Sequence, residues 1–189
     1  MSYDPNLAFF VSDGQVAGGS AGDRRHPRAT RRGAVSGGWH AALRRYLIAT
    51  AVGHLAWEFL HMPLYTIWRE GTWGEVAFAA LHCTGGDVLI ALTLLMLALL
   101  LLGNETWPRE RFRPVAALAI ALGVGYTAFS EWLNVVVRAA WDYSELMPIL
   151  SLFGVEVGLS PLLQWIVVPA VAFALAGRAA ASAGAQRRR

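Results

Sequence analysis

Residues 76–102 read VAFAALHCTGGDVLIALTLLMLALLLL, a run in which Asp87 is the one formally charged residue. A helix needs roughly 20 mostly apolar residues to cross a hydrocarbon core about 30 Å thick. This run exceeds that length and decides the class of fold. Working outward from it, three more stretches have the same character: Tyr46–Trp68, Val115–Val137 and the shorter Pro161–Ala176. The expected architecture is an all-α integral membrane protein, a bundle of four transmembrane helices.

Composition supports this class. Of 189 residues, 56% are hydrophobic and 15% charged, with a mean hydropathy of +0.42, too apolar for an ordinary water-soluble domain. The single cysteine, Cys83, lies inside a span, so no disulfide within the chain is expected. Arg24-Arg25 is about twenty residues from the first apolar run with no small-residue cleavage site after it, so no cleavable signal is expected.

All sixteen basic residues are arginine, and their placement reports topology. Fourteen precede the first span, lie between the second and third, or follow the fourth; only Arg69 and Arg138 fall in the other two connections. Cytoplasmic segments carry an excess of basic residues, so both termini are expected in the cytoplasm. The expected location is a bacterial inner membrane. The same distribution accounts for the net charge of +3 without nucleic acid as a partner. The bilayer is the expected partner, with subunits of a larger membrane complex as a further possibility.

Residues 1–40, rich in Gly, Ser, Ala and Arg, read as a disordered cytoplasmic tail. Residues 41–178 form the transmembrane domain, and 179–189 a basic C-terminal tail. The connection Arg138–Ser160 is long, and after Glu145 it is mostly apolar. Loops of that length usually have a function or structure of their own. It is expected to form a partly inserted lid, or a short helix in the interface plane, before the last span. Trp57, Trp132 and Trp165 are expected mainly as belt and packing residues.

Six ionisable side chains interrupt the apolar runs: His54, Glu58 and His61 on the first, His82 and Asp87 on the second, and Glu131 on the third. Ionisable groups at bilayer depth are costly and are functional by default. Counting about 1.5 Å per residue from the span ends puts all six in the outer half of the membrane. His54, Glu58 and His61 share one helix face, as do Thr127, Glu131, Asn134 and Arg138. Cys83 and Asp87 share another. A break at Gly85-Gly86 would be needed to bring His82 and Asp87 to one centre. Gln164 adds an amide near the start of the fourth span.

Three histidines and three carboxylates are ligand types for zinc or iron, so His54, Glu58, His61, His82, Asp87 and Glu131 are the candidate metal set. Glu58 and Glu131 are the candidate catalytic residues, as ligand or general base toward a lipid-soluble substrate. Glu58-x-x-His61 matches the Glu-x-x-His element of di-iron bundles, but no second copy exists, and the zincin motif is absent. The alternative is an accessory subunit with a structural polar network or a haem or quinone contact, with His61 and His82 as axial ligands. A carrier is least supported, since no inverted repeat is evident.

Overall fold

The computed structural model describes residues 27–152 and 154–186. Helix dominates. The elements in chain order are α1 (Pro27–His61), a 3-10 turn (Met62–Leu64), the one-turn α2 (Ile67–Glu70), α3 (Trp73–Leu102), α4 (Phe112–Glu131), a π-helical turn (Trp132–Val137), strands β1 (Ile149–Leu152) and β2 (Val155–Gly158), and α5 (Leu159–Gln186).

Local chemistry sets the boundaries. α3 opens with a reciprocal cap: Thr72 Oγ1 accepts from the Glu75 backbone N–H at 3.3 Å, and Glu75 Oε2 accepts from the Thr72 N–H at 2.7 Å. Two of the N–H groups that a helix start leaves without partners are thereby satisfied. α3 stops at Gly103. α1 gives way to the 3-10 turn at Met62-Pro63, where proline has no N–H to continue the α ladder. After Glu131 the chain widens into a π turn whose last bond runs from Arg138 N–H to the Leu133 carbonyl. Single π turns of this kind are frequent at functional sites.

The four long helices pack in a closed circuit, α1 against α3 and α5, and α4 against α3 and α5. At the end that carries the 103–112 connection, half of the buried core is alanine, Ala42, Ala91, Ala98, Ala119, Ala172 and Ala176, set among Tyr46, Leu95, Trp107, Val115, Trp165 and Phe173. Small residues let backbones approach closely, which is how helices associate where lipid removes any hydrophobic drive between them. A Cβ placed on Gly53 would come within 2.8 Å of Val168, and one on Gly123 within 2.4 Å of Trp165, so both helices that flank α5 lie hard against it. The outward faces carry the large apolar residues instead: Leu60 is 80% and Leu100 84% exposed. Three helical segments, Trp73–Leu102, Phe112–Val137 and Leu159–Arg178, are long and apolar enough to cross a membrane.

Four expectations are corrected here. The first apolar run does not continue as helix to Trp68; it ends at His61, and the stretch from Arg69 back to Pro63 is broken by the 3-10 turn and the extended Tyr65. Residues 27–40 belong to α1 and are not part of a coil, and α5 runs on to Gln186, past the expected end of the domain at 178. Residues 1–26 of the expected tail lie outside the described residues. The Gly85-Gly86 break does not occur, because α3 is continuous and the ladder on either side tolerates two glycines. The lid segment is not an interfacial helix. It is a β-hairpin with Ile149 opposite Gly158 and Leu152 opposite Val155. Gly154, with φ of +83°, sits at its tip in a region that residues with a Cβ rarely enter. Met147, Val157 and Gly158 are buried under it, whereas Ile149 and Leu150 are exposed.

Candidate functional site

The end of the bundle away from the alanine core holds the polar residues. His54, Glu58 and His61 lie on the inward stripe of α1, at 0%, 5% and 6% exposure. From α5, Gln164 reaches into the middle of them, 2% exposed. Its Nε2 lies 2.9 Å from Glu58 Oε1, 3.2 Å from Asp87 Oδ2 on α3 and 2.9 Å from His54 Nδ1. Asp87 Oδ2 is itself 2.9 Å from His54 Nδ1.

Hydrogen counting assigns these contacts. An amide NH2 has two hydrogens and no acceptor, and a carboxylate only accepts. Gln164 therefore donates to Glu58 and Asp87, and His54 Nδ1–H donates to Asp87. The remaining ring nitrogen, His54 Nε2, is buried without a partner among the described residues. The ring packs against Trp165 with centroids 5.1 Å apart.

A second arm runs outward along α1. Trp57 Nε1–H donates to Ser160 Oγ at 3.2 Å, Ser160 Oγ lies 3.1 Å from His61 Nδ1, and His61 Nε2 lies 3.2 Å from Glu58 Oε2. One tautomer satisfies the whole chain: the Ser160 hydroxyl donates to Nδ1, and Nε2–H donates to Glu58. Both oxygens of Glu58 then accept hydrogen bonds from uncharged groups.

The third arm belongs to α4 and the hairpin. The Tyr143 hydroxyl donates to Glu131 Oε2 at 2.5 Å and accepts from the Gly158 N–H at 2.9 Å. Burial, and then the neighbouring Glu131 carboxylate, push the Tyr143 phenol well above its ordinary pKa, so it stays protonated and the donor in this bond. Tyr65 is likewise raised, first by burial and then by the charge of Glu131. Backbone bonds tie this layer down: Thr66 N–H to the Asp142 carbonyl, and Ser144 N–H to the Leu64 carbonyl. The turn after α1, the Tyr143 loop and the hairpin thus form one cap over the polar end.

Beside the turn after α1, a cavity of about 1000 Å³ is lined from α1, α3, α4 and α5. Glu58, His61, Asp87 and Glu131 line it together with Cys83, Gly86, Tyr126, Thr127, Ser130, Asn134 and Trp165. An added Cβ on Gly86, which lines the cavity, would meet nothing within 4 Å.

Of the six residues expected to share a site, His54, Glu58, His61 and Asp87 are joined by direct hydrogen bonds or through Gln164. Glu131 lies on the same cavity but is held by Tyr143. His82 stands apart from the network: it is exposed, and its ring stacks on Phe78 with centroids 5.5 Å apart, although its edge reaches the cavity wall. A continuous α3 leaves it about 140° round from Asp87. Joint ligation of haem by His61 and His82 finds no geometry here, since both nitrogens of His61 are engaged and His82 faces outward. Among the described residues, no three His, Cys, Asp or Glu side chains are placed to hold a metal ion. At the one point where three ligand-type atoms converge, the amide nitrogen of Gln164 stands.

Gln164, Tyr143, Ser160 and Trp165 complete the site, and only Gln164 was singled out in the sequence as a polar intrusion. Trp165 packs in the core, 4% exposed, as expected, and also walls the pocket, while Trp57 is an anchoring donor to Ser160. Tyr143 lies in a loop, where polarity carries no signal, and Ser160 in the first turn of α5, where a serine is equally unremarkable. No family model, no curated protein and no solved structure matches this chain.

Proposed function

We propose that all four long helices cross a membrane, with both termini on the cytoplasmic side, and that the cavity in the outer half holds a lipid-soluble molecule on which acid–base chemistry is done. The observation that carries this reading is the cavity itself, a space of about 1000 Å³ lined by Glu58, His61, Asp87 and Glu131 among mostly uncharged residues of α1, α3, α4 and α5. Ligand sites are typically mostly apolar clefts with a few convergent polar groups. The stretch of α1 after Arg45 adds Tyr46–His61, about 24 Å of α-helix, and the 3-10 turn adds about 6 Å, which together match the hydrocarbon thickness.

In this reading Glu58, already accepting from Gln164 and His61, is the group that takes a proton. Glu131 works with the Tyr143 hydroxyl, which holds a proton beside it. The hairpin closes the water side, and substrate enters sideways between α3 and α4, where no cap residue intervenes.

The test is native mass spectrometry of the full chain purified in mild detergent, compared with a Gly86→Leu variant. Gly86 lines the cavity and its Cβ direction is open, so leucine fills space without displacing neighbours. A lipid-soluble molecule retained by the wild type and missing from the variant is expected. The same bulk lipid in both, or nothing in either, overturns the proposal.

A metal is the second reading, favoured by the convergence of His54, Glu58 and Asp87 on one atom. Zinc or iron there would have to displace Gln164 and draw the ligands in to about 2.0–2.2 Å. Elemental analysis showing stoichiometric metal, lost on Glu58→Gln, would establish it; less than a tenth of an equivalent would exclude it.

A further inference from the structure

The carboxylates of this cavity have no internal counter-charge. Glu58, Asp87 and Glu131 come from three different helices, and the groups that donate to them are an amide, imidazoles and a phenol. Glu70, Glu75 and Asp142, all exposed, line the outer rim of the same space. Against these six acids the lining offers one guanidinium, Arg138, and that group donates to Asn134 Oδ1 at 3.2 Å. With all six ionised, five negative charges are left over, or three if both lining histidines, His61 and His82, are protonated.

Buried charges are ordinarily paired or bound to a metal. The geometry for a metal is missing, and the space is far larger than an ion requires. The wall also carries five aromatic residues: Tyr65, Phe78, Tyr126, Trp141 and Trp165. Ring faces attract cations, and more so where water is excluded. An acidic rim raises the local concentration of cations and repels anions. The sideways entry proposed above admits a molecule that is already dissolved in lipid.

We infer that the ligand of this cavity is a lipophilic organic cation, an amine or onium group carried on an apolar body. The inference rests on the cavity reading above and names its substrate class. Glu131 and Asp87 face the charge, the aromatic wall packs the body, and the rim carboxylates draw it in. A neutral lipid would leave the carboxylates as they are, and an anionic headgroup would add to the repulsion.

Matched probes separate charge from shape. Tetraphenylphosphonium and tetraphenylborate have nearly the same size and surface and opposite charge. Binding of each is measured by flow dialysis to the full chain in nanodiscs of zwitterionic phosphatidylcholine. The Gly86→Leu protein serves as reference for partition into lipid. Saturable binding of the phosphonium at one per chain is expected, at least tenfold weaker in Glu131→Gln and lost in Gly86→Leu, with no saturable binding of the borate. Asp142→Asn on the rim is expected to weaken binding only at low salt, because exposed charges are screened. Borate binding as tight as phosphonium binding, phosphonium binding indifferent to Glu131→Gln, or no specific binding of either overturns the inference. A neutral molecule found by mass spectrometry in the wild type, lost in Gly86→Leu and displaced by neither ion, would remove the cation while leaving the cavity reading intact.

Discussion

Replacing Gln164 with leucine tests whether the polar residues are one cooperative network. The change keeps the bulk of the side chain but removes both N–H groups, which donate to Glu58 at 2.9 Å and to Asp87 at 3.2 Å. Hydrogen bonds to charged acceptors contribute about 1.5–3 kcal/mol each in water-soluble proteins, so two amount to about 3–6 kcal/mol. Intramembrane bonds measured by double-mutant cycles average only ~0.6 kcal/mol, or about 1.2 for two. The lower figure applies where a freed group finds another partner. Here His61 and His54 each still donate to one of the carboxylates, but at 2% exposure of Gln164 no water replaces what is lost. The expected loss is therefore intermediate, about 3 kcal/mol. For a chain of this size, 1 kcal/mol moves Tm by about 2–4 °C, so Gln164→Leu should lower it by about 6–12 °C in detergent. The decisive quantity is the coupling with Glu58→Gln, which removes the acceptor charge. The double variant should be about 1–2 kcal/mol more stable than the sum of the single losses implies. Losses that add to within about 0.5 kcal/mol would show that Gln164 and Glu58 are not coupled, and would refute the hub.

Gly123→Ala should cost about 1–3 kcal/mol, since its Cβ would meet Trp165 at 2.4 Å in a packed core; a Tm unchanged within 1 °C would contradict that contact. Tyr143→Phe deprives Glu131 of its donor and the Gly158 N–H of its acceptor, so amide exchange across 149–158 should rise at least tenfold while that of α3 stays as it was. Unchanged exchange would mean that the hairpin is held by something other than the tyrosine. For topology, a phosphatase active only outside the cytoplasmic membrane should be inactive when fused after Arg189 and active when inserted in 71–74; the reverse pattern would overturn the assignment of inside and outside.

Three of the four membrane-type apolar runs were legible in the chain, because a span is a matter of length and hydropathy within one segment. α3 and α4 each begin three residues before the apolar limit and α5 runs ten residues past it, since capping and polar ends add turns that hydropathy does not register. The stripe His54, Glu58, His61 was legible for the same reason: spacing on one helix fixes which residues share a face. The hairpin was not read, although Gly154 and the alternation Val155-Glu156-Val157 were present. Its short apolar strands resemble any short apolar run until a partner strand is paired with them.

What the sequence alone could not decide is which faces meet. His82 and Asp87 look equivalent along α3, and only a continuous helix turns one outward and the other into the network. Gln164 became the hub because α5 packs along the whole of α1, with Gly53 and Gly123 letting α5 come close enough for an amide to reach three neighbours. Tyr143 entered from a loop whose position depends on bonds between segments some eighty residues apart, and Ser160 from the first turn of α5. Helix periodicity is a property of one segment, whereas a site made by three helices and a hairpin exists only once their separations and rotations are set by packing.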